Sequence, residues 1–247
     1  MAVKTTLNYS PNFDSIKRGK KDIKFIIFHY TGMKKESEAI RRLTNIQSEV
    51  ACHYLVKNNG QILTMVPDNY IAWHAGKSSW ANYKSLNKNS IGIEITNPGH
   101  EFKYKKFSKR QITSILRLSK FLIKKYKIHM KYILGHSDIA PERKMDPGEK
   151  FPWKYLSQNK VGLWHTENKK DLLKNRTIKT TKINKELFFN NLFKIGYSKQ
   201  ILKNVGKKNY LNCLTKAFQR RFRQELIDGK IDRECLLISR NLSKELG

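Results

Sequence analysis

KFIIFHYTG, Lys24 to Gly32, is the stretch whose reading decides the fold. An apolar, β-prone run ends there in a polar tip. That is the pattern of a short buried strand carrying His29 at its C-terminal end. Downstream, Glu36 to Ile46 sets Ala39, Ile40, Leu43 and Ile46 at helical spacing. Two β-prone runs follow, His53–Lys57 and Gln61–Val66, joined by Asn58-Asn59-Gly60. An Asn-Gly step between such runs is the strongest short hairpin signal. Ile71 to Gly76 (IAWHAG) reads as a short extended piece. Ser78 to Asn89 is polar and turn-rich and reads as a surface loop. Ser90 to Thr96 (SIGIEIT) alternates and predicts a strand. Ser108 to Tyr126 predicts a long amphipathic helix with Ser108 as its N-cap. Lys131 to His136 (KYILGH) predicts another strand, followed by a loop with Pro141, Pro147, Gly148 and Pro152. The order β-α-β-β-β-α-β implies the α/β class, a mixed central sheet flanked by helices.

The rest of the chain reads differently. Thr166 to Lys182 is polar and charged and reads as a linker. Asn184–Ile195, Asn212–Arg223 and Arg233–Leu242 look helical, punctuated by Gly196, Gly206 and Asp228-Gly229. They predict a small all-α C-terminal domain. The division expected is 1–165, a linker at 166–182, and 183–247. A chain of 247 residues suits a medium domain plus a small one. Hydrophobic residues at 39% and aromatic residues at 11% suffice for a packed core and exclude wholesale disorder.

Fifty Lys and Arg face 20 Asp and Glu, a formal charge of +30. Such a chain is drawn to polyanions. Nucleic acid is one class, and an anionic wall polymer or membrane surface is another. The basic residues are spread from Lys4 to Lys244, which equally fits a plain lysine-rich surface. No RNP, helix-turn-helix or zinc-finger signature accompanies the charge, so a specific nucleic-acid partner is not expected. Three cysteines without a CxxC pair exclude a disulfide framework and a cysteine-based zinc ribbon. The N-terminus lacks the apolar core of a secretory signal, and no apolar run is long enough to span a membrane. The expectation is a cytoplasmic protein, with export to the envelope by another route as the alternative.

His29 and His136 stand at the ends of predicted strands, and Asp146 follows in a Pro/Gly loop. Strand ends and the loops after them are where α/β sheets place functional groups. Two imidazoles and a carboxylate leave a fourth position open on zinc, the arrangement of a catalytic site. Spacing alone leaves satisfied or surface histidines as the competing reading.

Five motifs occur in order: FHYTG (Phe28–Gly32), HYLVKNNGQI (His53–Ile62), AWHAG (Ala72–Gly76), SIGIEI (Ser90–Ile95) and GHSDIAPERKMDPGEKFPW (Gly135–Trp153). Together they resemble the type-2 N-acetylmuramoyl-L-alanine amidases, the AmpD/AmiD type of zinc amidase. That family is related to phage lysozyme-type amidases and peptidoglycan recognition proteins. The resemblance spans roughly residues 20 to 157. It implies one zinc ion per chain on His29, His136 and Asp146, with Glu94 as catalytic carboxylate and Lys144 as catalytic lysine. Where the phage-type branch has a Tyr-His pair, this chain has Cys52-His53, and Glu94 is the candidate for the missing tyrosine's role. The implied reaction is hydrolysis of the amide bond between the lactyl group of N-acetylmuramic or 1,6-anhydro-N-acetylmuramic acid and L-alanine, in peptidoglycan or muropeptides. Trp73, His74 and Asn87 are candidate substrate contacts; a core Trp and a structural His explain the first two equally. His53 reads as structural, and His100, His129 and His165 as surface residues. LTKAFQRRFRQELIDGKIDRECLLI (Leu214–Ile238) resembles small helical peptidoglycan-binding domains, with Cys235 where that family usually has Thr. A non-catalytic recognition protein of the same fold is the alternative function. Such relatives usually lose a zinc ligand, and none is lost here.

Overall fold

The computed structural model describes residues 3–200 and 205–245. The outer ends of the two expected domains, residues 1–2 and 246–247, lie outside them. Six strands form the central sheet: β1 (Thr6–Leu7), β2 (Phe25–Tyr30), β3 (Tyr54–Val56), β4 (Ile62–Thr64), β5 (Ser90–Ile95) and β6 (Ile133–Gly135). Their spatial order is β1-β4-β3-β5-β2-β6. The hairpin pair β3/β4 is antiparallel, as the Asn-Gly step requires, and every other pair is parallel. The predicted mixed α/β sheet is therefore observed. β5 lies between β3 and β2, so the SIGIEIT alternation does not mark a water-facing strand. It separates two covered faces.

On one face, Ile26, Phe28, Ile91, Ile93 and Ile95 pack against helix α2 (Lys109–Tyr126) through Ile115, Leu118 and Leu122. Ser108 caps that helix as predicted: its Oγ accepts from Gln111 N–H, and Gln111 Oε1 accepts from Ser108 N–H. The other face carries Phe25, Ile27 and His29 on β2, alternating out of phase with the first set. β5 contributes Ser90, Gly92 and Glu94 to that face. The β2/β5 register pairs His29 with Glu94, so both side chains leave the sheet on the same side as direct neighbours.

The remaining helices are α1 (Glu36–Thr44), α3 (His136–Ile139), α4 (Trp153–Gln158), α5 (Lys169–Asn175), α6 (Lys182–Ile195), α7 (Lys207–Phe222) and α8 (Arg233–Glu245). The last three are the predicted C-terminal helices. One apolar cluster runs from Phe25, Ile27 and Leu134 of the sheet to Leu192, Phe218 and Ile238 of these helices. The segment read as a linker holds α5, whose Leu172 is buried in that cluster. The predicted surface loop, Ser78 to Asn89, is also anchored. It forms a small Ser79–Trp80/Tyr83–Lys84 hairpin with Trp80 and Leu86 buried. Gly196, at φ 130°, lets Trp80 come so close that a Cβ there would meet the indole at 2.5 Å. Two apolar residues in a polar run are enough to pin it.

Candidate active site

The end of β6 and the loop after α3 are folded onto each other. Ser137 N–H donates to Asp146 O, and Gly135 has no room for a Cβ, which would lie 2.6 Å from Pro147 Cδ. This fold-back brings Asp146 beside His136, and parallel pairing of β6 with β2 brings both to His29. His29 Nδ1 lies 2.9 Å from His136 Nδ1 and 3.0 Å from Asp146 Oδ2, and His136 Nδ1 lies 3.1 Å from the same oxygen. All three residues are buried.

One set of imidazole tautomers satisfies the shorter of the surrounding hydrogen bonds. Ser90 O–H donates to Leu86 O at 2.6 Å, so Ser90 Oγ accepts from His74 Nε2–H at 3.0 Å. His74 Nδ1 is then an acceptor and takes the proton of His29 Nε2–H at 3.0 Å. His29 Nδ1 is left as a bare lone pair. On the other side, His136 Nε2–H donates to Ala75 O at 3.2 Å, which leaves His136 Nδ1 bare as well. Burial, then the adjacent His136, hold His29 neutral by lowering its pKa to about 4, against the pull of Asp146.

Three lone-pair donors thus converge with no hydrogen among them. Bare, they repel one another; a cation between them satisfies all three. The donor set, two neutral imidazoles and one carboxylate, suits zinc with a position left open, and outer partners hold the ring tautomers as they do in metal sites.

Glu94 stands next to His29 on the sheet. Its Oε2 is enclosed with no hydrogen-bond partner. Burial, then the Asp146 charge, push its pKa up to about 8, while Lys144 and Arg42 pull the other way. Both cations line the cleft with His29, His136 and Asp146, and the cavity is about 560 Å³. Its walls come from α1 (Ala39, Arg42), from Tyr30 to Met33, and from His100 to Phe102.

The substrate-contact candidates separate. His74 lies behind His29, packed on β5, where a Cβ on Gly92 would sit 2.4 Å from its ring. Trp73 Nε1–H donates to Asp14 Oδ1, and Asn87 Oδ1 accepts from the His74 and Ala75 backbone N–H groups. Neither lines the cleft. His53 is buried and accepts from Gly92 N–H. His100, read as a surface residue, is part of the cleft wall, between Tyr30 Oη at 2.8 Å and Glu149 Oε2 at 2.9 Å. Sequence reasoning passed over Ser90, Tyr30, Arg42 and Arg143, the last of which lines the cleft and donates from Nε to Lys77 O at 3.0 Å. Ser90 had a signal, since it precedes Gly92 and Glu94 at two-residue spacing in a motif already singled out.

The family model described as N-acetylmuramoyl-L-alanine amidase matches residues 19–149, more than half of the chain and the whole of this site. The chain belongs to the N-acetylmuramoyl-L-alanine amidase family. Relatives extend the match. It is 33% identical to the N-acetylmuramoyl-L-alanine amidase AmiD of Escherichia coli K12 over 237 residues, 91% of this chain and 84% of AmiD. It is 32% identical to the 1,6-anhydro-N-acetylmuramyl-L-alanine amidase AmpD of Haemophilus influenzae over 170 residues, 61% of this chain and 90% of AmpD. Among solved structures, AmiD in complex with anhydro-N-acetylmuramic acid-L-Ala-D-γ-Glu-L-Lys superposes with a TM-score of 0.78, covering 91% of this chain and 90% of AmiD. AmpDh3 of Pseudomonas aeruginosa gives 0.77 at 29% identity, covering 91% and 92%. The expected family, fold and amidase activity hold for this amidase.

Proposed function

We propose that this amidase is a zinc hydrolase, with one ion per chain held by His29, His136 and Asp146. Its substrates are muropeptides, including those with a 1,6-anhydro sugar. The observation that carries this reading is the convergence of His29 Nδ1, His136 Nδ1 and Asp146 Oδ2, each 2.9 to 3.1 Å from the other two, in a buried group. When bound, zinc acidifies water toward a pKa of about 7 and polarises the amide carbonyl.

The chain's own residues supply the rest. Glu94 accepts the proton of the attacking water as its oxygen bonds to the lactyl carbonyl carbon. It then hands that proton to the L-alanine nitrogen as the C–N bond breaks. Lys144, whose ammonium has no ion-pair partner among the described residues, lines the cleft where the oxyanion develops and offsets its charge. Arg42, on α1, adds a second cation to the cleft, suited to the free carboxylates of a stem peptide. His74 and Ser90 keep His29 in the tautomer that presents Nδ1. The 1,6-anhydro sugar enters through AmiD, whose solved complex holds such a substrate. The wall-binding role expected of residues 183–247 belongs to the same proposal and rests on the Leu214–Ile238 motif. No helix among the described residues is long and apolar enough to cross a membrane.

The test is incubation of the purified chain with anhydro-muramyl tripeptide, with and without a zinc chelator, reading free L-alanyl peptide by mass spectrometry. Release that stops with chelator and returns with zinc is expected. Release untouched by chelator would remove the metal from the mechanism.

A further inference from the structure

We infer that the C-terminal helices hold the His136 segment in its metal-binding position through two positioning residues, Arg221 and Tyr197. The inference rests on the zinc reading above. Its centre is Asp138, two residues past His136 on α3 and only 2% exposed. Asp138 Oδ2 accepts from Gly135 N–H at 2.8 Å and from Arg221 Nη1 at 2.6 Å. Asp138 Oδ1 accepts from Tyr197 Oη at 2.8 Å. Arg221 Nη2 donates to Ile133 O at 3.0 Å, and the guanidinium lies 4.3 Å over the Trp153 ring. One side chain from α7 therefore grips the first residue of β6 and the middle of α3, with His136 between the two grips. Just past α7, Gln224 Nε2 donates to Phe151 O at 2.7 Å and fastens the loop that returns from Asp146.

This joint differs from ordinary domain packing in its chemistry. Arg221 and Asp138 are both buried, and each answers the other's charge. Without Arg221, Asp138 would be an uncompensated carboxylate enclosed next to a metal ligand, and α3 would move to hydrate it. A shift that rotates His136 away from Ala75 O releases the hydrogen bond that leaves Nδ1 bare.

Arg223 supplies the contrast. It is as buried as Arg221 but turns inward, to Asp228, Asp232 and Leu226 O, all within the C-terminal region. Losing it weakens the helices without unpairing Asp138.

The experiment is zinc titration of the full chain against a chromophoric competitor at pH 7, with thermal melts alongside. Arg221→Met is expected to weaken zinc binding by about 10-fold, the lower end of what losing a direct partner of a metal ligand costs, since Arg221 acts on His136 through Asp138 and Ile133 O. Arg221→Lys, which keeps the charge and loses the fork, should fall between it and the wild type. Tyr197→Phe should weaken binding a few-fold, and Arg223→Met should lower Tm with zinc affinity unchanged. If Arg221→Met does not fold, the lysine and Tyr197→Phe variants carry the test. Native zinc affinity in the folded Arg221 and Tyr197 variants, or an equal loss in Arg223→Met, overturns the inference and leaves the zinc reading standing. A wild type that binds no zinc sinks both.

Discussion

In the cleft, His29, His136 and Asp146 aim three acceptors at one point; in the C-terminal region, Arg223 meets Asp228 and Asp232 donor to acceptor. Both groups are buried and both are polar. The second is closed: the guanidinium's hydrogens are spent on carboxylates and on Leu226 O. The first is open, because the outward protons of its imidazoles are committed to His74 and Ala75. Buried polar groups are normally matched. A buried group matched everywhere except on one converging side is therefore shaped for something the chain does not itself provide.

The sharpest way to break this comparison is at the residue that works on the open group without belonging to it. Glu94→Gln keeps shape and removes the proton acceptor. Turnover of anhydro-muramyl tripeptide should fall by about 10²–10⁴-fold with zinc content unchanged. Near-native turnover would take Glu94 out of the mechanism. Lys144→Ala should cost roughly 10²-fold in kcat with little change in zinc content, as expected for one lost oxyanion-stabilising group. A change confined to KM would make it a binding residue instead.

The next variant tests whether the outer hydrogen bonds hold the open group open. In His74→Gln the chain from Ser90 to His29 is broken, and zinc affinity should drop by about 10-fold or more. An unchanged affinity would mean the tautomer of His29 is fixed by something else.

The smallest effect concerns charge without metal. Glu94 keeps its proton up to about pH 8 in the folded, metal-free chain, whereas an ordinary glutamate releases it near 4.5. Stability from that retained proton is present below about 4.5 and is lost as pH rises through 8. In chelator-treated protein, Glu94→Gln should therefore gain Tm relative to the wild type between pH 5 and 9. Parallel Tm curves over that range would contradict the raised pKa.

Much of this was legible before any coordinates. A strand end carried His29, the Pro/Gly loop carried Asp146, and the alternation in SIGIEIT already sorted Ser90, Gly92 and Glu94 from the isoleucines; His136, expected to end a strand, instead opens α3 one residue past β6. What alternation cannot tell is what covers each face. β5 lies in the middle of the sheet, so its polar face looks into the cleft and not into water. Gly92 illustrates the limit: in sequence it is a small residue in a strand, and only the fold shows His74 occupying the space of its missing side chain. Asn87 read as a groove residue because its loop borders the site, but it is turned to the His74 and Ala75 N–H groups, while His74 itself lines the cleft. Arg221 was one cation among fifty Lys and Arg. Its partner Asp138 is 83 residues away, and no local pattern encodes a pairing at that distance.

The central claim is that the open group is a metal site, and the direct measurement is zinc bound per chain after equilibrium dialysis, for the wild type and for Asp146→Ala. One tightly held ion is expected in the wild type and none in the variant. Equal zinc in both would contradict it.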